Sequence, residues 1–133
     1  MLARLVGRPR LPLAAFSTGN TGDYSARQFI EDAIQSNKVV LFMKGTRDAP
    51  RCGFSSKTVN ILTYFGVDRF LTVDVLADPE VREEIKKYSD WPTIPQLYVN
   101  QKFVGGCDVL ADMFAQGQLE EFFKSEGVTS DSA

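Results

Sequence analysis

The chain contains no histidine. That absence removes Ser–His and Cys–His nucleophile pairs, which need an imidazole base, and every His-ligated metal site. Cysteine is nearly absent: Cys52 and Cys107 are the only two. Two distant thiols do not make a disulfide scaffold, which fits a reducing compartment. Nor do they by themselves fill a four-coordinate structural zinc site. No apolar run approaches the ~18 residues of a membrane span, so no membrane partner is expected. Acidic residues are missing from positions 1–22, which hold Arg4, Arg8 and Arg10 for a net +3. The remainder holds 12 basic and 17 acidic residues, a net −5. A mildly acidic body gives no support to nucleic-acid binding.

What is present describes one ordinary domain. The 133 residues are 44% hydrophobic and 24% charged, enough to bury a single globular core. The first 22 residues are arginine-containing, serine-containing and acid-free. That is the composition of an organelle transit peptide, with a plain N-terminal extension as the alternative. They are set apart as a mitochondrial presequence, leaving 23–133 as the domain.

Ser25 followed by Gln28 reads as a capping box, and Phe29, Ile30, Ala33 and Ile34 recur at helical spacing. A helix is expected over 26–36, ended by Ser36-Asn37. The run "VVLFM" (39–43) reads as a strand buried on both faces. "KGTRDAPR" is a loop punctuated by Gly45 and Pro50. Val59, Ile61, Leu62 and Phe65 argue a helix from Phe54, stopped by Gly66. "RFLTVDV" (69–75) is a second strand. Asp78-Pro79-Glu80 opens a third helix, with Asp as cap and Pro at the first position. "PQLYV" (95–99) and "KFV" (102–104) form a hairpin through Asn100-Gln101. A helix follows from about Asp108, then a short one around Leu119–Lys124, then a frayed tail from Ser125. A helix joining the first two strands makes them parallel. The hairpin adds antiparallel strands, giving a mixed sheet with helices on both faces.

Three segments carry chemistry. In "PRCGFS" (50–55), Cys52 lies just before a helix, where free N–H groups favour thiolate over thiol. Lys44 at the end of the first strand adds positive charge. The alternative is a buried cysteine acting as a small hydrophobe. Redox motifs of the C-x-x-C type place a second cysteine where this chain has Ser55. A hydroxyl does not exchange with sulfur, so the two-cysteine reduction route is closed. The remaining uses are attack on an adduct with an external thiol as partner, or metal ligation, since thiolates hold iron–sulfur clusters. In "WPTIPQL" (91–97), Pro95 precedes a strand, and an X–Pro bond can be cis. A cis Ile94–Pro95 bond would offer the Ile94 backbone to a ligand. In "GGCD" (105–108), two glycines allow close backbone approach at a helix start, a setting suited to a carboxylate. Asp108 either caps that helix or holds an ammonium group. Cys107 reads as a semi-buried thiol valued for its backbone, with a disulfide to Cys52 as the alternative.

Lys44-Gly45-Thr46, Cys52-Gly53-Phe54-Ser55, Trp91-Pro92-Thr93-Ile94-Pro95-Gln96 and Gly105-Gly106-Cys107-Asp108, in this order, resemble the monothiol glutaredoxins of the mitochondrial single-domain branch. The resemblance spans nearly all of 24–127. It implies an α/β, thioredoxin-like fold with a central mixed four-stranded sheet flanked by helices on both faces. It implies glutathione and a 2Fe–2S cluster as cofactors, with Cys52 as redox centre and iron ligand. Lys44 and Arg82 would lie near the glutathione glycine carboxylate. Ile94 would pair with the cysteinyl backbone, and the Cys107 backbone and Asp108 carboxylate would hold the γ-glutamyl end. The implied partners are a second copy of the chain bridged by the cluster, and iron–sulfur scaffold, chaperone and acceptor proteins in the mitochondrial matrix. The implied role is cluster transfer with at most weak glutathione-dependent oxidoreductase activity. Removal of glutathione from protein thiols is the alternative.

Overall fold

The computed structural model describes residues 25–129. The presequence expected over 1–22 and the last residues of the expected frayed tail lie outside them. Helix α1 spans Ala26–Ser36. The Ser25 side chain accepts from Gln28 N at 3.2 Å, as a cap should. The second half of the capping box goes elsewhere, because the Gln28 amide donates to Asp32 at 3.0 Å. Strand β1 is Val39–Met43, and all five residues are buried. Alternation sends Val40 and Phe42 to one face, and Val39, Leu41 and Met43 to the other. Helix α2 is Gly53–Tyr64, strand β2 is Leu71–Asp74, and helix α3 is Pro79–Ser89. The Asp78 carboxylate caps α3, accepting from Glu80 N at 2.9 Å. Strands β3 (Gln96–Val99) and β4 (Lys102–Gly105) follow. They are joined through Asn100 and Gln101 at φ 50° and 70°, the left-handed pair of a type I′ turn. Helices α4 (Cys107–Ala115) and α5 (Leu119–Glu126) complete the chain.

The sheet order is β2-β1-β3-β4. β1 pairs parallel with β2 and antiparallel with β3, and β3 pairs antiparallel with β4. One face packs α1 and α3 through Ile30, Ile34, Val40, Phe42, Val73, Ile85 and Tyr98. The other packs α2, α4 and α5 through Leu41, Met43, Leu62, Leu97, Leu110 and Phe123. This is the expected three-layer arrangement. Among the described residues, no helix is long and apolar enough to cross a membrane.

Two boundaries differ from the expectation by more than one residue. The second strand is shorter than 69–75, because Phe70 is engaged by the preceding loop: the Arg47 guanidinium lies 4.1 Å from its ring centre. Residues 125–128 also belong to the folded domain rather than to a tail frayed from Ser125. Helix α5 runs to Glu126, Gly127 ends it at φ 70°, and Val128 packs on the core. Val128 N donates back to Phe123 O at 3.2 Å, the hydrophobic closure that follows many helix ends.

Candidate functional site

The site is assembled from three chain segments at one end of the sheet. The first leaves β1 at Lys44. Gly45 N donates to the Asp74 carboxylate at 2.9 Å, and Arg51 N returns to Lys44 O at 2.8 Å. Gly45 has φ 92°, and a Cβ there would meet Ala49 O at 2.5 Å. Only glycine fits the turn. Arg47 ties the loop down by donating to Asp68 O at 2.8 Å and covering Phe70. The folded loop delivers Cys52 as the N-cap of α2, half-buried, with extended backbone. Phe54 beside it is 61% exposed. Ser55 is fully buried, and its hydroxyl accepts from Lys44 N at 3.1 Å.

Burial pushes the Cys52 thiol up, but that effect is outweighed. Hydrogen bonds from the Ser55 and Phe54 backbone N–H groups, the Ser55 hydroxyl and the Lys44 charge together hold it below the ordinary thiol value. The expected thiolate bias is therefore present, and the helix N-terminus does more than Lys44 to produce it.

The second segment is α3 with the loop that follows. Arg82 and Lys86 face the cleft from α3, and Trp91 to Pro95 form its floor. The Ile94–Pro95 bond is cis. Gln96, fully buried, holds the loop by donating its amide to Trp91 O at 2.9 Å and Thr93 O at 3.1 Å. The third segment is the turn from β4 into α4. Gly106 lies against the loop so closely that a Cβ would meet Pro95 O at 2.8 Å. Cys107 is 5% exposed, and Asp108 in the first turn of α4 is exposed.

Between these segments lies a cleft of ≈ 340 Å³, within the range of small-molecule sites. Lys44, Cys52, Arg82, Ile94, Cys107 and Asp108, the six residues singled out in the sequence, all line it. Lys86, Phe54, Trp91 and Thr93 line it as well without having been assigned a role. Lys86 was within reach, because it lies one helical turn after Arg82 and so shares its face. Two donors in the cleft walls, Arg82 Nε and Trp91 Nε1, are buried without a hydrogen-bond partner. Cys107 presents little of its sulfur. Among the described residues, no group of three or more His, Cys, Asp or Glu side chains is placed to hold a metal ion.

Fold and site together define a thioredoxin-like protein with a single accessible thiol at a helix N-terminus. Comparison with known proteins narrows the class. The Glutaredoxin family model matches residues 39–104. The "Probable monothiol glutaredoxin 2" of Rickettsia typhi is 52% identical over 99 residues, 74% of this chain and 88% of that protein. The "Monothiol glutaredoxin-5, mitochondrial" of Saccharomyces cerevisiae is 55% identical over 100 residues, covering 74% and 67%. A monomeric truncated mutant of 1-C-Grx1 from Trypanosoma brucei superposes with a TM-score of 0.70 at 39% identity, covering 79% of this chain and 94% of that one. The chain belongs to the glutaredoxin family and to its monothiol members.

Proposed function

We propose that the protein carries a labile 2Fe–2S cluster, held together with glutathione between two copies of the chain, and passes it to acceptor proteins. One observation carries this reading: each chain offers one accessible thiolate, Cys52, beside a cleft lined by Lys44, Arg82 and Asp108. A 2Fe–2S cluster takes four terminal ligands, usually thiolates. Two chains supply two, and the thiols of two glutathiones complete the set. The cleft suits glutathione chemically. Lys44 and Arg82 complement its glycine carboxylate, Asp108 its ammonium, the Ile94 backbone its cysteinyl segment, and the Cys107 backbone its γ-glutamyl end. The unpartnered Arg82 Nε and Trp91 Nε1 donors fit a ligand rich in acceptors. Because half the ligand set dissociates, the cargo is exchangeable, as delivery from a scaffold and its chaperone to acceptors requires.

Reconstitution with iron and sulfide, with and without glutathione and followed by sizing, tests the scheme. The expected product is a coloured dimer only when glutathione is present, and none from Cys52→Ser. A stable cluster without any small thiol would overturn it.

The lowered Cys52 pKa favours a second reading, removal of glutathione from protein thiols. The Cys52 thiolate attacks the glutathione sulfur of the mixed disulfide and releases the protein thiolate. A second glutathione thiolate then attacks the new Cys52–glutathione bond, restoring Cys52 and leaving glutathione disulfide.

The mitochondrial matrix is the proposed location. The composition of residues 1–22 and the name of the yeast relative support it, although the Rickettsia relative is bacterial. Replacing Arg4, Arg8 and Arg10 with Glu is expected to leave the protein outside mitochondria on fractionation. Unchanged import would remove this assignment.

A further inference from the structure

Asp74 ends β2 and does not line the cleft, yet its side chain holds the loop that does. β1 and β2 run parallel and stop side by side, with Met43 paired to Asp74. Val75 N donates to Met43 O at 2.9 Å, one further rung of the ladder. In a parallel ladder the next donor on the β1 side is Gly45 N. It donates instead to the Asp74 carboxylate, to Oδ1 at 2.9 Å, and the chain turns away from the sheet. Gly45 is buried, so water does not replace this acceptor. The same oxygen accepts from Leu76 N at 2.9 Å. Leu76 lies in the turn that leads to Asp78, the cap of α3. One carboxylate oxygen thus ties the loop after β1 to the entry of α3.

Beyond Gly45 the loop closes on itself. Gly45 bridges Pro50. Thr46 N donates to Ala49 O at 3.2 Å, Ala49 N to Thr46 O at 3.1 Å, and Arg51 N to Lys44 O at 2.8 Å. A hairpin bonded in this way moves as a unit, so the anchoring of Gly45 places both its ends. One end is Lys44. The other leads through Arg51 to Cys52. Arg47 fastens the tip of the hairpin by an exposed bond to Asp68 O, whereas Asp74 fastens its base at a buried donor. We propose that Asp74 is a positioning residue for ligand binding: by accepting from Gly45 and Leu76 it registers Lys44 and Cys52, on the hairpin, against Arg82, on α3. The two cations then meet one carboxylate while the thiol lies beside the same ligand. This rests on the reading of the cleft as a glutathione site and adds to it a residue outside the cleft.

Two measurements on the full chain test the inference separately from that reading. Amide hydrogen exchange, followed by NMR without ligand, reports the clamp. The Gly45 and Leu76 amides are expected to be protected in wild type and to exchange about tenfold faster or more in Asp74→Ala. Calorimetry with reduced glutathione, on folded protein, reports the consequence. Asp74→Ala is expected to bind about tenfold more weakly, on the scale of one charge-assisted contact. Asp74→Asn keeps an oxygen that accepts, with neutral bonds about half as strong, and is expected to stay within about threefold of wild type. A purely structural role would lower the melting temperature and leave the affinity of the folded molecules in place. Wild-type affinity in folded Asp74→Ala therefore overturns the proposal. So does an asparagine variant as weak as the alanine one, which would assign the effect to charge. An unprotected Gly45 amide in wild type overturns it without any variant, which covers the case in which Asp74→Ala does not fold. Wild type that binds no glutathione would remove the ligand reading, and with it the proposed effect on affinity, whereas the exchange data would still show whether Asp74 clamps the hairpin.

Discussion

Cys52 and Asp108 show how differently two residues of one cleft can depend on their surroundings. The thiol of Cys52 is half-buried at a helix start, so its chemistry is set by fixed donors. Asp108 is exposed, so water screens whatever charge it pairs with. A charge-assisted hydrogen bond contributes ~1.5–3 kcal/mol, while an exposed ion pair contributes ~0.2–1 kcal/mol. On that scale Asp108→Ala is expected to weaken glutathione binding by roughly three- to tenfold, measured by calorimetry. No change would put the ammonium group elsewhere. Both residues were legible in the sequence because each stands beside punctuation: Cys52 before a helix, Asp108 after two glycines. The packing roles of Ser55 and Gln96 are not legible in the sequence. Their roles depend on partners distant in the chain or on the fold of a loop, Lys44 N for one and two loop carbonyls for the other. Periodicity carries no trace of such contacts.

At the scale of elements, short-range signals served well where the element closes on itself. Ser25, Asp78 and the Asn100-Gln101 turn each satisfy backbone groups nearby, so α1, α3 and the β3–β4 hairpin fell where the sequence placed them. They failed where a distant segment competes, as when Arg47 takes Phe70 out of β2, or when Val128 finds the core beyond α5. The close packing of α4 against the cis-proline loop is another such tertiary fact, and it can be tested. A Cβ on Gly106 would meet Pro95 O, a backbone atom, at 2.8 Å, so the loop or the helix must move. Overpacking of this kind costs about 1–3 kcal/mol. Gly106→Ala is expected to show that loss in chemical denaturation, together with weakened glutathione binding. Gly53→Ala is the control: nothing lies within 4 Å of its added methyl, and in a first helical turn it is expected to be neutral to slightly stabilising. Equal behaviour of the two variants would mean that the α4–loop contact adapts at no cost.

The molecule as a whole separates its polar work from its stability. The sheet carries an apolar layer on each face, while the cations Lys44, Arg82 and Lys86 gather at the cleft on a body that is net acidic. The layer under α1 and α3 contains one titratable group whose environment affects the stability of the whole fold. Tyr98, on β3, is 3% exposed and packs edge-on to Phe42 at 5.8 Å, with Phe103 at 5.4 Å and Tyr88 at 6.1 Å. Burial, reinforced by Tyr88 and partly opposed by the nearby Ser89 side chain, pushes its pKa up to about 12. The unfolded value is about 10. A raised pKa on an acid means that the folded state favours the neutral phenol. The corresponding stability is complete below pH ~10 and is lost as pH climbs from there towards the folded value of about 12. A shift of that size corresponds at most to ~2.7 kcal/mol. Tyr98→Phe keeps the ring in the layer and removes the titration. Denaturant midpoints of both proteins between pH 8 and 12 are therefore expected to diverge only above pH ~10, with wild type falling more steeply. The two proteins differ only in this hydroxyl, so the difference isolates Tyr98. Parallel loss of stability across that range would show that the phenol is not held neutral by the fold.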